Sequence, residues 1–186
     1  ISEGLKRIEA IVHGLRSFSR NNQLEEKGPY DLNEGIKTTL LLANNEIKYK
    51  CYVDVDELMI PTIYANGGQI NQVLLNIIIN ASYAIKKKFE EEKGLISIKT
   101  YYENNTVYCN ICDNGCGMSE EIKNRIFEPF FTTKPVGQGT GLGLGIAYEI
   151  ICNQHNGRID VKSIEGEGTC FLILLPIRES NDEVLM

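Results

Sequence analysis

Apolar residues recur at helical spacing over residues 2–20, where Leu5, Ile8, Ile11, Val12, Leu15 and Phe18 share one face. The spacing predicts an amphipathic helix that needs a partner to be stable. Asn21 to Pro29 is polar and broken by Gly28-Pro29, so it reads as a linker. Asp31-Leu32-Asn33-Glu34 has capping-box spacing and predicts a helix running to about Asn45. Ile47–Val55 and Met59–Tyr64 read as strands. From Asn66, a helix cap, to about Phe89 the chain is apolar almost all round (Val73, Leu74, Leu75, Ile77, Ile78, Ile79), and it ends in a charged, solvated run from Lys86 to Lys93. Leu95–Tyr101 and Thr106–Cys112 flank Asn104-Asn105 as a hairpin. Ser119-Glu120-Glu121 opens a short helix, and Ile146–Ile151 is helical again. Asn156-Gly157 turns the chain into a strand from Arg158 to Ile164, and Glu165–Gly168 into another from Thr169 to Pro176. The last residues, 178–186, read as a frayed tail. Strands and helices segregate without a βαβ rhythm. The expected class is therefore α+β: a two-layer sandwich, one face of a mixed β-sheet covered by helices, preceded by the N-terminal amphipathic helix.

Composition narrows this picture. At 186 residues, with 42% hydrophobic and 24% charged content, the chain can bury one substantial core. A net charge of −6 argues against non-specific nucleic-acid binding, which needs many cationic contacts to phosphate. No apolar run is long enough to span a bilayer and the start lacks a signal-peptide pattern. Because Ile1 already lies inside a helical pattern, the chain reads as a piece of a longer protein. Cys109-Asn110-Ile111-Cys112 has zinc-like spacing, but no second pair completes a tetrahedral set. The six cysteines are therefore expected to be reduced, as in a cytoplasmic protein.

Two features point to chemistry. Glycine occupies every second position from Gly137 to Gly145 and runs straight into the helix at Ile146. A glycine-rich turn feeding a helix N-terminus is an anion cradle, because unpaired N–H groups and the helix dipole face the ligand; a phosphate-bearing ligand is expected. On the long helix, Gln69, Gln72, Asn76, Asn80 and Tyr83 fall within an arc of ~80°. Buried amides need polar partners. Such a stripe either holds a neighbouring loop or offers amide carbonyls to Mg²⁺, which takes a few hard oxygens alongside substrate phosphates. Asp113, at a strand end before Asn114-Gly115, is either a turn residue or an acceptor for an exocyclic amine such as that of adenine.

Taken in order, Asn76-x-x-x-Asn80-Ala81, Asp113-x-Gly115-x-Gly117, Phe127-Glu128-Pro129-Phe130, Gly139-Thr140-Gly141-Leu142-Gly143-Leu144 and Gly166-Glu167-Gly168-Thr169 resemble the N, G1, F, G2 and G3 boxes of sensor histidine kinases. Those boxes belong to the ATP-binding catalytic domain, whose fold is shared with gyrase, Hsp90 and MutL ATPases and is called the Bergerat fold. The resemblance covers roughly residues 30–176 and implies a catalytic domain over 30–177. It implies that Asn80, with Asn76, holds Mg²⁺ on the ATP phosphates, and that Asp113 reads the adenine amine beside Gly115 and Gly117. It also implies a mobile lid from about Phe127 to Gly141, with Lys134 as cation for phosphate charge. Thr140 and the N–H groups of Gly141, Leu142 and Gly143 would lie near the phosphates, and Thr169 would sit behind Asp113. Many relatives carry Lys and Tyr where this chain has Tyr83 and Ala84, so a ligand contact from Tyr83 departs from the family pattern.

Residues 1–20, ending Leu15-Arg16-Ser17-Phe18-Ser19-Arg20, resemble the second helix of the family's dimerisation and phosphoacceptor hairpin, joined by a linker over 21–29. The family's acceptor histidine lies on the first helix, so His13 is not expected to be the acceptor, and His155 reads as structural. The resemblance implies transfer of the γ-phosphoryl of ATP to a histidine on that hairpin and onward to a response-regulator aspartate. It also implies a homodimeric parent that can be membrane-anchored elsewhere in its chain. The alternative is a clamp-type ATPase working by conformational gating. Those relatives carry a water-activating Glu near the position of Asn76, and an amide cannot take that proton.

Overall fold

The computed structural model describes residues 26–177 except Glu90 and Val136. The expected helix over 1–20 and the tail over 178–186 lie outside the described residues. The first element, β1 (Gly28–Tyr30), pairs antiparallel with β3 (Ile63–Ala65), so the last two residues of the expected linker, Gly28 and Pro29, are held in a small two-stranded sheet. Of the strand expected over Met59–Tyr64 only Ile63 and Tyr64 are in a strand, which continues to Ala65: Met59 is almost fully exposed and Pro61 has no N–H to pair.

Helix α1 (Leu32–Ile47) starts as its sequence demands. The Asp31 carboxylate accepts from the N–H groups of Asn33 and Glu34 at 2.9 and 3.2 Å, satisfying two orphan donors of the first turn. Leu32, Ile36, Thr39, Ala43 and Ile47 form its buried stripe. Ile47 completes that stripe, which is why the helix outruns Asn45 and the next strand, β2, begins only at Cys51 and ends at Glu57.

Helix α2 (Gly67–Phe89) is the central wall. The Asn66 side chain accepts from the Gln69 N–H at 3.0 Å, as a cap should. Val73, Leu74, Ile77, Ile78 and Ile85 are at most 1% exposed, so they face core on all available sides. Truncating one to Ala would cost about 2–5 kcal/mol.

The main sheet has the order β2-β4-β5-β7-β6, with β4 (Gly94–Glu103), β5 (Thr106–Asp113), β6 (Arg158–Ile164) and β7 (Gly168–Pro176). β2 runs parallel to β4 and the remaining pairs are antiparallel, so the sheet is mixed. The β4–β5 hairpin turns through Asn104 and Asn105 at φ 48° and 61°, the left-handed pair that a tight two-residue turn requires. One face alternates inward as Ile96, Ile98 and Thr100, then Val107, Cys109 and Ile111, then Phe171, Ile173 and Leu175; all are buried against the helices. The opposite face carries partly exposed residues, including the stacked pair Tyr101 and Tyr108. This is the expected two-layer sandwich. A short helix, α3 (Glu120–Lys123), capped by Ser119, and a second, α4 (Gly143–Tyr148), complete it. α4 starts three residues before Ile146 and continues as a π-helical turn over Glu149–Gln154.

The cysteines also depart from expectation. Cys112 and Cys170 oppose each other in the β5–β7 register and form a disulfide; they are not reduced. Their positions lie 58 residues apart, so only strand register brings them together. In the loop-entropy account, closing such a loop stabilises the fold by about 4 kcal/mol. Cys109 cannot join Cys112, because three residues along a strand place it on the buried face. Cys51, Cys109, Cys116 and Cys152 are free.

Candidate nucleotide site

The polar stripe of α2 surfaces at Asn76, Asn80 and Tyr83, each half-buried. Three other segments close on it in order along the helix. Asn76 Nδ2 donates to the Gly143 carbonyl at 2.9 Å, joining α2 to the start of α4. One turn on, Asn80 Oδ1 accepts from Lys134 Nζ at 2.9 Å, and the same ammonium lies 4.6 Å from the centroid of the Tyr83 ring. At Ala84 the helix carbonyl accepts from the Cys116 N–H at 3.1 Å, tying down the loop that follows β5. From Asn76 to Ala84 is about 12 Å of helix rise. Asparagines and a cation line one end of that span and the Asp113 loop the other.

At the Asp113 end, β5, β7 and β6 place Asp113, Thr169 and Ser163 side by side. Asp113 Oδ1 accepts from the Gly115 N–H at 2.8 Å. Burial pushes the carboxyl up to about 6; the Gly115 and Thr169 backbone N–H groups and the Lys88 charge pull the other way without overcoming it. Thr169 is buried, and its hydroxyl lies 2.9 Å from Ser163 Oγ, which also accepts from the Met118 N–H at 2.9 Å. Ser163 thus wires the floor behind Asp113 to the loop in front of it. No motif marked it; its signal was its register opposite Thr169.

The glycines of this end answer to the fold itself. A Cβ on Gly115 would sit 2.6 Å from the Ala84 backbone, and one on Gly117, at φ 63°, would strike the Ile164 carbonyl. The loop can therefore lie flat against both α2 and the β6–β7 turn, where the Gly166 N–H donates to the Cys116 carbonyl at 2.8 Å.

The Phe127–Gly141 segment is mostly turns and exposed residues. Phe130 has φ 66°, which is rare for a bulky residue, and Gly141, at φ 68°, packs its Cα face on the Phe130 backbone. The Leu142 N–H donates to Thr140 Oγ1 at 3.3 Å, and α4 begins without a side-chain cap from Leu142. Burial lowers the Lys134 pKa, as expected for an ammonium half withdrawn from water beside neutral partners.

His155 also supports the site. Its Nε2 accepts from the Asn66 N–H at 3.0 Å, and its Nδ1 lies 2.8 Å from the Ile150 carbonyl. The ring is therefore neutral with the proton on Nδ1, and burial lowers its pKa. It fixes the start of α2 from the far side, consistent with the structural role read for it. His13 lies outside the described residues, among which no helix is long and apolar enough to cross a membrane.

Known proteins of one family share this sequence pattern and fold. The family described as "Histidine kinase-, DNA gyrase B-, and HSP90-like ATPase" matches residues 65–179. The signal transduction histidine-protein kinase AtoS of Escherichia coli (strain K12) is 36% identical over 192 residues, covering 100% of this chain and 30% of AtoS. The chain spans 24–30% of the length of the curated relatives it matches first. Among solved structures, the catalytic domain of histidine kinase ThkA is 32% identical with a TM-score of 0.71, covering 83% of this chain and 97% of that one. Histidine kinase ThkA in complex with the response regulator protein TrrA aligns at 28% identity and a TM-score of 0.71, covering 94% of this chain and 48% of that one. The chain belongs to the histidine kinase-, DNA gyrase B- and HSP90-like ATPase family, in which it is a catalytic domain of the sensor histidine kinase type.

Proposed function

We propose that this domain binds ATP across α2, with adenine against Asp113 and phosphates against Asn76, Asn80 and Lys134, and passes the γ-phosphoryl to a histidine on a dimerisation hairpin. The observation that carries this reading is the order of groups along one helix. A carboxylate acceptor stands at one end, and two amides, a cation and a glycine-started helix stand at the other.

Asp113 accepts from the adenine amine, with Thr169 and Ser163 holding it from behind. Gly141 and Gly143 offer N–H groups to phosphate oxygens at the start of α4, and the Leu142 N–H joins them by exchanging its contact with Thr140 Oγ1. Asn80 Oδ1 fits Mg²⁺: it is a hard, half-buried oxygen that already accepts from a cation. Asn76 Oδ1 is the second candidate ligand, since that side chain uses Nδ2 toward Gly143. Bound there, the ion would neutralise charge on the transferring phosphoryl group. Lys134 stabilises phosphate charge, and Tyr83 supports its ammonium. In phosphoryl transfer the protein chiefly positions groups and stabilises charge, so no strong base is needed here. Because Asn76 is an amide, activated-water hydrolysis of the clamp type is disfavoured.

On this reading residues 1–20 belong to the second helix of the hairpin, 21–29 connect it, and 30–177 form the catalytic unit. The parent acts as a homodimer whose phosphoryl group goes on to a response-regulator aspartate. The likeness to ThkA in complex with TrrA supports that partner class. Magnesium-ATP titrated into the chain should bind with measurable heat. With γ-labelled ATP the chain alone should stay unlabelled, whereas a hairpin bearing the acceptor histidine, added in trans, should acquire acid-labile phosphate. Absence of nucleotide binding would refute the proposal, and self-labelling that vanishes in His13→Gln would relocate the acceptor.

A further inference from the structure

We propose that Cys112 and Cys170 form a reversible dithiol/disulfide site, read by small thiols and disulfides of the glutathione class, whose state sets nucleotide affinity. The sulfurs lie on the sheet face opposite the helices, since their neighbours Ile111 and Phe171 are buried against the core. Both cysteines are only partly buried, so a small thiol can reach them. On β6, Lys162 stands directly beside Cys170 in register and is exposed. A neighbouring ammonium favours the thiolate that exchange chemistry requires.

The bond also sits at a sensitive place. The next residue pair along the same two strands is Asp113 and Thr169, at the proposed adenine end of the site. Everything from the Asp113 loop through the lid, α4 and β6 lies inside the loop the bond closes. Oxidised, it pins the site end of the β5–β7 ladder. Reduced, two thiols cannot share one bond's length, so they separate and the end of the ladder is free to fray. Packing at that end has little slack, since a Cβ on Gly168 would strike the Asp113 carbonyl. The oxidised form is therefore the high-affinity form.

The chemistry balances with glutathione as co-reactant. One glutathione thiolate attacks a sulfur of the Cys112–Cys170 bond, giving a mixed disulfide and releasing the other cysteine as a thiolate that takes a proton. A second glutathione thiolate attacks the glutathione sulfur of that mixed disulfide. This releases the remaining cysteine and forms glutathione disulfide, so two electrons pass from glutathione to the protein. Oxidation is the reverse, with glutathione disulfide as oxidant.

This inference rests on the nucleotide reading of Asp113, and the test separates the two. The 186-residue chain is equilibrated in glutathione buffers of graded poise, acid-quenched, and alkylated under denaturing conditions for intact mass; parallel samples give the melting temperature and magnesium-ATP affinity by calorimetry. Glutathione is used in the binding assay because an alkylating agent would also modify Cys116 in the base loop. The expected result is a two-thiol transition from four to six alkylated cysteines. Across it the melting temperature should fall by about 10 °C and affinity by about fivefold or more. Cys112→Ser/Cys170→Ser, and Cys112→Val/Cys170→Val should the serine pair not fold, should bind like the reduced form and ignore the poise. Six free thiols at every poise would overturn the site. An unchanged affinity across the transition would overturn its coupling to nucleotide. A thiol and melting transition with no nucleotide binding in either state would instead remove the nucleotide assignment, and the coupling with it.

Discussion

The two ends of the candidate site are built differently. At the base end, Asp113, Thr169 and Ser163 are held by strand register, by backbone N–H groups and by the neighbouring Cys112–Cys170 bond. At the phosphate end, Asn76, Asn80, Tyr83 and Lys134 are held by one another across a helix, a helix start and an exposed segment. On the proposed reading, the base end is preorganised and keeps its contacts when nucleotide binds. At the other end Asn80 Oδ1 is occupied by Lys134 Nζ, and on the same reading that contact is exchanged for metal and phosphate. Recognition, so read, belongs to the sheet and chemistry to α2 and the Phe127–Gly141 segment.

The largest expected effect lies at the phosphate end. Asn80→Ala should reduce transfer to a hairpin supplied in trans on the order of a hundredfold or more, while adenosine binding changes little. Equal loss of adenosine binding would erase the distinction between the two ends. At the base end, Asp113→Asn should weaken nucleotide binding by roughly tenfold or more, the worth of a hydrogen bond to a charged acceptor. It should not lower the melting temperature, since a buried carboxylate raised to about 6 costs stability at pH 7. The sign follows from linkage. The folded state holds the Asp113 proton more tightly than the unfolded state, so this group's contribution to stability rises as pH falls through 6 toward 3.8. Nucleotide affinity moves the opposite way, falling up to about tenfold between pH 7 and 5 as the acceptor protonates. Asp113→Asn should flatten that profile.

Smaller effects refine the comparison. His155→Leu should cost about 2 kcal/mol of stability by leaving the Asn66 N–H without its acceptor. The folded His155 pKa lies below 6.5, so its contribution is fully present above pH 6.5. It is lost as pH falls, because the unfolded chain takes the proton first. Thermal melts at pH 7.5 and 5.5 should show that loss in the wild type and not in the leucine variant. The smallest effect is expected for Tyr83→Leu, which removes a cation–π seat worth about 1 kcal/mol. Limited proteolysis between Phe127 and Gly141 should quicken, with nucleotide affinity changed only a few-fold.

Legibility in the sequence followed the same divide. The α2 stripe, the Asp31 and Asn66 caps and the Asn104-Asn105 hairpin were readable because each is a local pattern with a local cause. The order of boxes pointed to the site as a whole. What escaped was set by register between distant strands: the Cys112–Cys170 bond, Ser163 behind Thr169, and β1 pairing with Ile63–Ala65. Alternation tells which face a residue takes and not which residue stands opposite. The glycines were legible as special, and the fold gives two of them a reason of its own. Gly115 and Gly117 are required by contacts to Ala84 and Ile164, whatever they also allow a ligand.

The most direct test is a crystal structure of the chain with magnesium and a non-hydrolysable ATP analogue. The adenine amine should lie within hydrogen-bond distance of the Asp113 carboxylate, with Asn80 Oδ1 turned from Lys134 to the metal. A base bound away from Asp113, or a Lys134–Asn80 contact left intact beneath bound phosphates, would contradict the proposed reading.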